Sequence, residues 1–491
     1  MRKIVICLII ELGIVSVFLS CNNPKKYEAT WVSLQTHETP EWFRDAKFGL
    51  YFHWGLYSVP AYKNEWYSHW MYVQGHDINK HHVEKYGPLN EFGYKDFIPM
   101  FTAEKFNADE WVDLFVKAGA RYAGPVAEHA DGFAMWDSKL TTWDAMDMGP
   151  KRDIVGEMEK AIRKTDLKFV TTFHLQWLYA WYPTLDKNTD ASNPEYADLY
   201  GPPAPIEHFT AVWNDSTVRP DANFNKRWYD RVTEVVDKYN PDLVYFDTKL
   251  HIIDDQVRRN FLQHFYNRAA EQDRHVVCTY KFEDMAKGAA VLDLERARMS
   301  KLTDFPWLTD DSVDWSSWCH VMEPDYKSTD RLIDFLIDVV SKNGCVLLNI
   351  PPTAQGEIPQ PVRERLLEMG EWLGVNGEAI YETRPWKIFG EGPTKVVEGH
   401  LNERENADNV AEDIRFTTKG GTLYAITLAV PDESIKIKSL GTDAGLLDKE
   451  IQSVRLLGYS GDLTWRRETD GLLISIPKEK PCDYALAFMI D

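Results

Sequence analysis

The sequence predicts an α/β catalytic domain of the (β/α)8 barrel type, followed by a C-terminal antiparallel β-sandwich. The first observation is a series of strand-length runs that are apolar or β-branched on both faces, as strands of a buried parallel sheet require. These runs are Phe48–Phe52, Tyr122–Ala127, Lys168–Phe173, Leu243–Phe246, Val276–Thr279, Val291–Leu294 and Val346–Ile350. The second observation is that helical patterns separate several of them, at Ala108–Ala118, Trp228–Tyr239 and Arg331–Ser341. Repeated alternation favours a closed barrel over an open sheet.

The pattern changes at about residue 387. Short β-like runs separated by Gly, Asp and Ser turns replace the helical segments, as in an antiparallel sandwich. These runs are Thr422–Leu428, Ser434–Ile437, Ser453–Leu457 and Leu472–Ile476. We therefore place the catalytic barrel at residues 41–386 and the sandwich at 387–491. The expected role of the sandwich is to cover one side of the barrel.

The N-terminal residues have the features of an export signal. Arg2 and Lys3 precede the apolar run Ile4–Ser20, and Cys21 follows it. A basic start and a short apolar run are typical of a signal peptide, and a Cys at the cleavage point resembles a bacterial lipoprotein signal. The alternative is an ordinary signal peptide that happens to contain a Cys. We predict a signal at residues 1–21, a polar tether at 22–40, and export to the periplasm or cell surface with a lipid anchor at Cys21.

Composition excludes several classes of partner. The 491 residues carry a formal net charge of −21, which argues against nucleic acid, and against a membrane surface other than through the lipid. The cysteines that would remain after processing show no CxxC spacing, so no zinc site is predicted. The 18 Trp and 23 Tyr provide flat rings that can stack on sugars, a weak indication of carbohydrate binding.

Titratable side chains follow five of the predicted strands directly. They are His53, Glu128 with His129, His174, Asp247 and Glu295. A single polar residue after a strand is usually the start of a solvated loop. In barrel enzymes, however, the active site lies at the C-terminal ends of the strands, so five such coincidences predict a shared site.

Among the carboxylic acids of this set, Asp247 and Glu295 form a pair suited to glycosidic bond cleavage. Retaining glycosidases use one carboxylate as nucleophile and another carboxyl group as acid/base, and they need no metal or organic cofactor. We predict Asp247, with its short side chain at a strand end, as nucleophile and Glu295, with its longer one, as acid/base. Because a nearby cation would lower the pKa of a general acid, we expect the neighbouring Arg296 to point away from Glu295.

Six long motifs, in order along residues 36–390, resemble the α-L-fucosidases of glycoside hydrolase family 29. They are KFGLYFHWGLYSVPAY (Lys47–Tyr62), NEWYSHWMY (Asn64–Tyr72), Phe101–Phe133, Trp136–Glu157, CVLLNIPPTAQGEIP (Cys345–Pro359) and EWLGVNGEAIYETRPW (Glu371–Trp386). The resemblance implies an exo-acting retaining enzyme that releases terminal α-L-fucose from glycans through a covalent glycosyl-enzyme intermediate. It also implies a fucosylated oligo- or polysaccharide as substrate.

The same resemblance assigns roles to individual residues. It places the nucleophile at Asp247 and the acid/base at Glu295, although Ala297 replaces a usual Gly and the loop residues Asp310, Asp311 and Asp314 remain alternatives. The implied substrate-binding residues are His53, Glu65, Trp66, His129, His174 and Trp307. No metal ligand is implied.

One position departs from the family pattern. The family usually has two adjacent His before Asp-Gly-Phe, whereas here Ala130 follows His129. Loss of the second His removes a hydrogen-bonding group and opens space. An alternative function is therefore release of α-L-galactose, which carries an extra hydroxyl at C6 and could be 6-substituted. A catalytically silent carbohydrate-binding lipoprotein is the non-enzymatic alternative, but a binding module has no need of the Asp247 and Glu295 pair.

Overall fold

The computed structural model describes residues 26–211, 213 and 218–491. The predicted signal peptide and Cys21 lie outside the described residues. None of the helices in these ranges is both long enough and apolar enough to cross a membrane.

Eight parallel strands close into a barrel in chain order. They are β1 (Phe48–Phe52), β2 (Tyr122–Glu128), β3 (Lys168–Phe173), β4 (Leu243–Phe246), β5 (Val277–Lys281), β6 (Val291–Glu295), β7 (Trp307–Ser312) and β8 (Gly344–Ile350). The barrel closes where β1 pairs with β8, with Phe48 opposite Val346 and Phe52 opposite Ile350. Together with the C-terminal sheets described below, this confirms the predicted fold class.

The helices are distributed unevenly around the barrel. They are α1 (Trp31–Leu34), α2 (Glu41–Ala46), α3 (Tyr67–Trp70), α4 (Asp77–Tyr86), α5 (Ala108–Lys117), α6 (Ile154–Ile162), α7 (Ala197–Tyr200), α8 (Ile206–Thr210), α9 (Ala222–Tyr239), α10 (Asp255–Glu271), α11 (Thr329–Ser341) and α12 (Gln360–Asn376). The connections β5–β6 and β6–β7, which are described throughout, contain no α-helix. The barrel wall is therefore thinner on this side.

Two apolar layers stabilise the barrel. One lies inside it, where Tyr51, Val170 and Leu347 pack together with Phe43 from α2. The other lies between the strands and the surrounding helices and contains residues such as Trp111 and Phe261. Because strand side chains alternate between the two layers, most strands are buried on both faces, which is why these strands are apolar on both sides.

Strand β7 corrects one expectation. Asp310 and Asp311 were expected in a loop, but both are buried residues of β7. Each carboxylate has a buried lysine partner, Lys281 for Asp310 and Lys327 for Asp311. These ion pairs let polar residues occupy a strand that apolar patterning cannot reveal.

The N-terminal part of the described chain also differs from expectation. Residues 26–40, predicted as part of a polar tether, pack against α10 and the barrel. Leu34 is fully buried and the Tyr27 N–H donates to Asn267 Oδ1 at 2.7 Å. The Trp31 indole N–H donates to Asp255 Oδ1 at 3.0 Å. Burial of the large side chains of Tyr27 and Leu34 therefore docks this otherwise polar segment.

The C-terminal region forms two antiparallel sheets with the orders β13-β16-β11-β10-β9 and β12-β15-β14. Their strands are β9 (Arg384–Glu391), β10 (Ile414–Lys419), β11 (Thr422–Thr427), β12 (Ser434–Ile437), β13 (Val454–Leu456), β14 (Trp465–Arg467), β15 (Leu472–Ser475) and β16 (Ala487–Ile490). The first strand starts at Arg384, so it begins slightly before the predicted boundary at residue 387.

Buried ion pairs join the sandwich to the barrel. Asp338 of α11 accepts from Arg415 Nε of β10 at 2.6 Å and from Lys342 Nζ at 2.6 Å. Arg298, which follows β6, donates through Nε to Glu403 Oε2 at 2.7 Å. All five side chains are almost inaccessible to water. Separating the two domains would therefore leave unpaired charges in apolar surroundings.

Candidate active site

Three imidazoles meet at the C-terminal mouth of the barrel. His53, His129 and His174 follow β1, β2 and β3, and their ring centroids lie 4.6 to 5.4 Å apart. All three are at least 95% buried. His129 Nδ1 and His174 Nε2 are buried and have no hydrogen-bond partner within the described residues. The cluster thus offers unsatisfied polar atoms to a hydroxyl-bearing ligand.

The orientation of His53 is fixed by Asn349 of β8. The Asn349 Oδ1 atom accepts from the His53 backbone N–H at 2.8 Å and from His53 Nδ1 at 2.9 Å. The Asn349 amide nitrogen donates in turn to the Trp318 carbonyl at 2.6 Å. Since Nδ1 must carry the proton, Nε2 of the neutral ring is left as an acceptor. Burial and the nearby His174 lower the pKa of His53, which keeps the ring neutral.

Glu65 and Trp66 supply the next wall of the site. Glu65 is 5% exposed and its Oε2 accepts from the Trp318 backbone N–H at 3.1 Å. Burial raises the pKa of its carboxyl group. The Trp66 ring is half-buried and stacks on Trp213, with centroids 4.3 Å apart. A carboxyl group beside an aromatic plane suits a sugar, which has both hydroxyls and flat C–H faces.

Lys281, the last residue of β5, holds the two predicted catalytic carboxyl groups. Its Nζ lies 2.8 Å from Glu295 Oε2 and 3.6 Å from Asp247 Oδ1. The opposite oxygen of Asp247 lies 3.2 Å from His174 Nδ1. Asp247 Oδ1 and Glu295 Oε2 cannot lie farther apart than the sum of their distances to Lys281 Nζ. That limit is compatible with the roughly 5–5.5 Å used by retaining glycosidases.

The surroundings drive the pKa values of these two acids apart. Burial, opposed by Lys281 but reinforced by the charges of Asp247 and Asp310, raises the pKa of Glu295 to about 7. Burial would also raise the pKa of Asp247, but His174 and Lys281 outweigh it and hold that pKa well below its ordinary value. Near neutral pH one acid can thus donate a proton while the other stays ionised, as a double displacement requires.

The two arginines after Glu295 do not reach it. Arg296 donates to the carbonyl of Trp315 at 2.8 Å, and its guanidinium lies over the Trp318 ring at 4.4 Å. Arg298 is engaged by Glu403. The expectation that Arg296 points away from Glu295 is confirmed, and the cation that does contact Glu295 is Lys281.

The alternative acids have other partners. Asp310 accepts from the Tyr51 hydroxyl at 2.8 Å and from Lys281 at 3.0 Å, inside the barrel. Asp311 pairs with Lys327. Asp314 accepts backbone N–H groups, including that of Ser316 at 2.7 Å, and so shapes a turn. These contacts favour Glu295 as the acid/base.

Two residues named from the sequence lie away from the site. Trp307 is the first residue of β7, at the opposite end of the strand from the mouth, and its indole N–H donates to the Lys342 carbonyl at 3.0 Å. Its predicted binding role is therefore not supported. Glu128 points outward and pairs with Arg231 of α9, so it is structural.

Sequence reasoning missed several residues that line or support the site. Lys281 also ends a strand and would have been found if the apolar run Val276–Thr279 had been extended by two residues. Asn349 lies inside a predicted strand and gave no separate signal. His400 lies in the connection β9–β10 and reaches the site from the C-terminal region, which no local pattern could indicate. Its Nε2 is 3.8 Å from Glu295 Oε2.

The cavity above these residues has a volume of about 370 Å³ and is lined by Trp66, Trp177, Asp247, Glu295 and His400, among others. Within the described residues, the ligand atoms of the three imidazoles lie within 4.8 Å of one another, a spacing that could also hold a metal ion. The prediction that the enzyme uses no metal stays a prediction.

Comparisons with known proteins identify the family. The sequence model described as Alpha-L-fucosidase matches residues 16–378, and the one described as Alpha-L-fucosidase C-terminal domain matches residues 406–491. The tissue α-L-fucosidase of Homo sapiens is 31% identical over 487 residues, which cover 96% of this chain and 93% of that protein. The plasma α-L-fucosidase of Homo sapiens is 30% identical over 500 residues, with 96% and 93% covered.

A solved structure gives the same result. A Thermotoga maritima α-fucosidase in complex with fucose matches 95% of this chain and 100% of its own, with a TM-score of 0.74 and 27% identity. The chain belongs to the α-L-fucosidase family, glycoside hydrolase family 29, and is a glycoside hydrolase.

Replacing Lys281 should move the pH profile of activity. In Lys281→Met the loss of the cation should raise the pKa values of both Asp247 and Glu295, by about 1 to 3 pH units. With Asp247 as the predicted nucleophile and Glu295 as the predicted acid/base, activity needs Asp247 ionised and Glu295 protonated. Both limbs of the profile of kcat/KM on an aryl α-L-fucoside should therefore move to higher pH, with the alkaline limb rising from about 7.

Lys281→Arg is the matched control, since it keeps the charge and should keep both limbs near their wild-type positions. Circular dichroism would verify that both variants fold. A Lys281→Met profile that coincides with that of the wild type would show that Lys281 does not set these pKa values.

Proposed function

From this family membership we propose that the enzyme releases terminal α-L-fucose from fucosylated glycans, exo-acting and with retention of anomeric configuration. The observation that carries the proposal is the single ammonium group of Lys281 between two carboxyl groups whose pKa values are shifted in opposite directions. Such a pair suits a nucleophile and an acid/base acting on one glycosidic bond.

In the first step, the ionised Asp247 attacks the anomeric carbon while Glu295 gives its proton to the departing glycosidic oxygen. The C–O bond to the leaving group breaks and a covalent bond to Asp247 forms with inverted configuration. In the second step, Glu295 takes a proton from water, the water oxygen attacks the anomeric carbon, and the bond to Asp247 breaks. Two inversions give net retention.

The remaining residues of the site fit the fucose ring. The neutral His53 offers Nε2 as an acceptor, and His129 and His174 have unsatisfied nitrogen atoms. Glu65 adds an acceptor beside the Trp66 plane. L-Fucose is neutral, and His53 and His129, whose pKa values are lowered by burial, add no uncompensated charge to the pocket.

The roles of Asp247 and Glu295 can be separated by the stereochemistry of azide rescue. Asp247→Ala should lower kcat on an aryl α-L-fucoside by at least about a thousandfold. Added azide should then take the place of the carboxylate and yield β-L-fucosyl azide. In Glu295→Ala the covalent intermediate still forms from a good leaving group, and azide should yield α-L-fucosyl azide. Product NMR distinguishes the two.

Asp314→Asn is the control. It replaces the carboxylate of a rejected acid/base candidate by an amide of similar shape, and it should give no fucosyl azide. Release of β-L-fucose as the first product of wild-type hydrolysis, seen by NMR before mutarotation, would contradict retention.

The second candidate function is release of α-L-galactose, and Ala130 is the observation that favours it. This residue follows His129 and is 1% exposed, and its methyl group offers no hydrogen bond to a ligand. The enzyme should therefore accept aryl α-L-galactoside with a kcat/KM within about a hundredfold of that on aryl α-L-fucoside. Ala130→His should lower the galactoside rate relative to the fucoside rate. A galactoside rate too low to measure in the wild type would eliminate this candidate.

We also propose that the enzyme is exported and anchored through a lipid on Cys21. The basic residues Arg2 and Lys3 before the apolar run Ile4–Ser20 support this proposal. In a bacterial host, the full-length protein should fractionate with membranes and Cys21→Ala should not. Recovery of both proteins in the same soluble fraction would contradict the anchor.

A further inference from the structure

A loop from the C-terminal region is fastened to the backbone beside Glu295. The connection β9–β10 brings residues 398–403 to the mouth of the barrel, where the Leu401 N–H donates to the Glu295 carbonyl at 3.0 Å. The Glu403 N–H donates to the Arg296 carbonyl at 2.8 Å. The loop thus runs alongside the strand end that carries the proposed acid/base.

Buried charges fix this loop in place. The Glu403 side chain is 2% exposed and accepts from Arg298 Nε at 2.7 Å and from Arg331 at 2.8 Å. Leu401 has a φ of 63°, in the left-handed region, and Gly399 has a φ of 131°. The chain reverses between Gly399 and Leu401 and so directs His400 towards the site. The buried contacts of Glu403 hold the loop in that position.

His400 lines the active-site cavity beside Glu295. Its Nε2 is 3.8 Å from Glu295 Oε2, too far for a direct hydrogen bond. Its ring packs edge-on against Phe282 with centroids 5.0 Å apart. The side chain is 32% exposed. A proton donor must face the glycosidic oxygen, so a more exposed residue beside Glu295 in the same cavity is placed to meet the group attached to that oxygen.

The same loop borders both the active-site cavity and a larger groove. The active-site cavity and a groove of about 1110 Å³ share the lining residues Trp177, Trp213, Thr248, His400 and Leu401. The groove is also lined by Phe282, whose side chain is 59% exposed. An open groove with an exposed aromatic ring, continuous with the catalytic cavity, is a typical carbohydrate-binding surface.

We propose that His400 and Phe282 form the subsite for the leaving group, which is a hydroxyl-bearing neutral sugar whose chain continues into the groove. His400 hydrogen-bonds a hydroxyl of the sugar attached to fucose, and Phe282 packs against an apolar face of that sugar. The inference rests on the proposed function and deepens it by naming the residues that select the substrate beyond fucose.

Two further facts support this proposal. Burial and Lys281 lower the pKa of His400, so the ring is neutral and can donate or accept a hydrogen bond to a neutral hydroxyl. Residues 398–403 lie between the segments 16–378 and 406–491 that match the family models. Connecting loops often carry binding residues, and this one reaches the mouth of the barrel.

The test compares two kinds of substrate that share fucose but differ in the leaving group. The first is an aryl α-L-fucoside, and the second is a set of α-L-fucosyl disaccharides. In His400→Phe, which keeps an aromatic ring but no hydrogen bond, the ratio of kcat/KM on the disaccharides to kcat/KM on the aryl substrate should fall about tenfold. His400→Gln, which can still hydrogen-bond, should largely restore the ratio. Phe282→Ala should lower it as well.

Lys395→Ala, at an exposed position of the same connection, is the matched control and should leave the ratio unchanged. Transfer of fucose to an added sugar acceptor should decrease in His400→Phe in parallel with the ratio. A ratio unchanged in both His400→Phe and Phe282→Ala would overturn the inference, as would an equal loss on all substrates. If instead the wild-type enzyme cleaves neither kind of fucoside, the proposed function itself is wrong.

Discussion

The active site depends on one buried cation. The ammonium group of Lys281 lies within 3.6 Å of four carboxyl groups, which belong to Asp247, Asp293, Glu295 and Asp310. Burying a carboxylate without a partner costs several kcal/mol, and one positive charge cannot compensate four negative ones. Burial lowers the pKa of Lys281, but the four acids outweigh it and keep the lysine charged. Some of the acids must therefore hold protons, and Glu295 is one whose pKa is raised. This shortage of positive charge supports the proposed division of Glu295 and Asp247 into a proton donor and a nucleophile.

The barrel brings these groups together through strand register. Strands β4 to β7 are neighbours in chain order, Lys281 is the β5 partner of Asp293, and Glu295 is the β6 partner of Asp310. The connections that follow β5 and β6 are described throughout and carry no α-helix. The side of the barrel that holds Glu295 is thus open to a loop from elsewhere in the chain, and the connection β9–β10 occupies that opening.

Sequence patterns predicted those parts of the molecule whose structure depends on residues close together in the sequence. Seven of the eight barrel strands are apolar runs, and four of the named site residues, His53, His174, Asp247 and Glu295, follow such runs directly. Strand β7 was missed because its residues WLTDDS are polar and become buried only through ion pairs with lysines distant in sequence. Trp307 was assigned to the site for the same reason. Without strand β7, the sequence did not show that Trp307 lies at the end of the strand opposite the mouth of the barrel. The contacts of Lys281 and His400 arise from tertiary structure and leave no periodic signal.

The C-terminal sandwich does more than cover one side of the barrel. Its first connection supplies Glu403, whose carboxylate compensates the buried guanidinium groups of Arg298 and Arg331. Arg298 follows Glu295 by three residues, so removal of Glu403 would leave unpaired charge next to the strand end that carries the proposed acid/base. The hydrogen bond from Leu401 to the Glu295 carbonyl also fixes that strand end directly. A barrel without its sandwich would have both carboxyl groups but not the support that holds one of them in place. The functional unit of this enzyme is the barrel and the sandwich together.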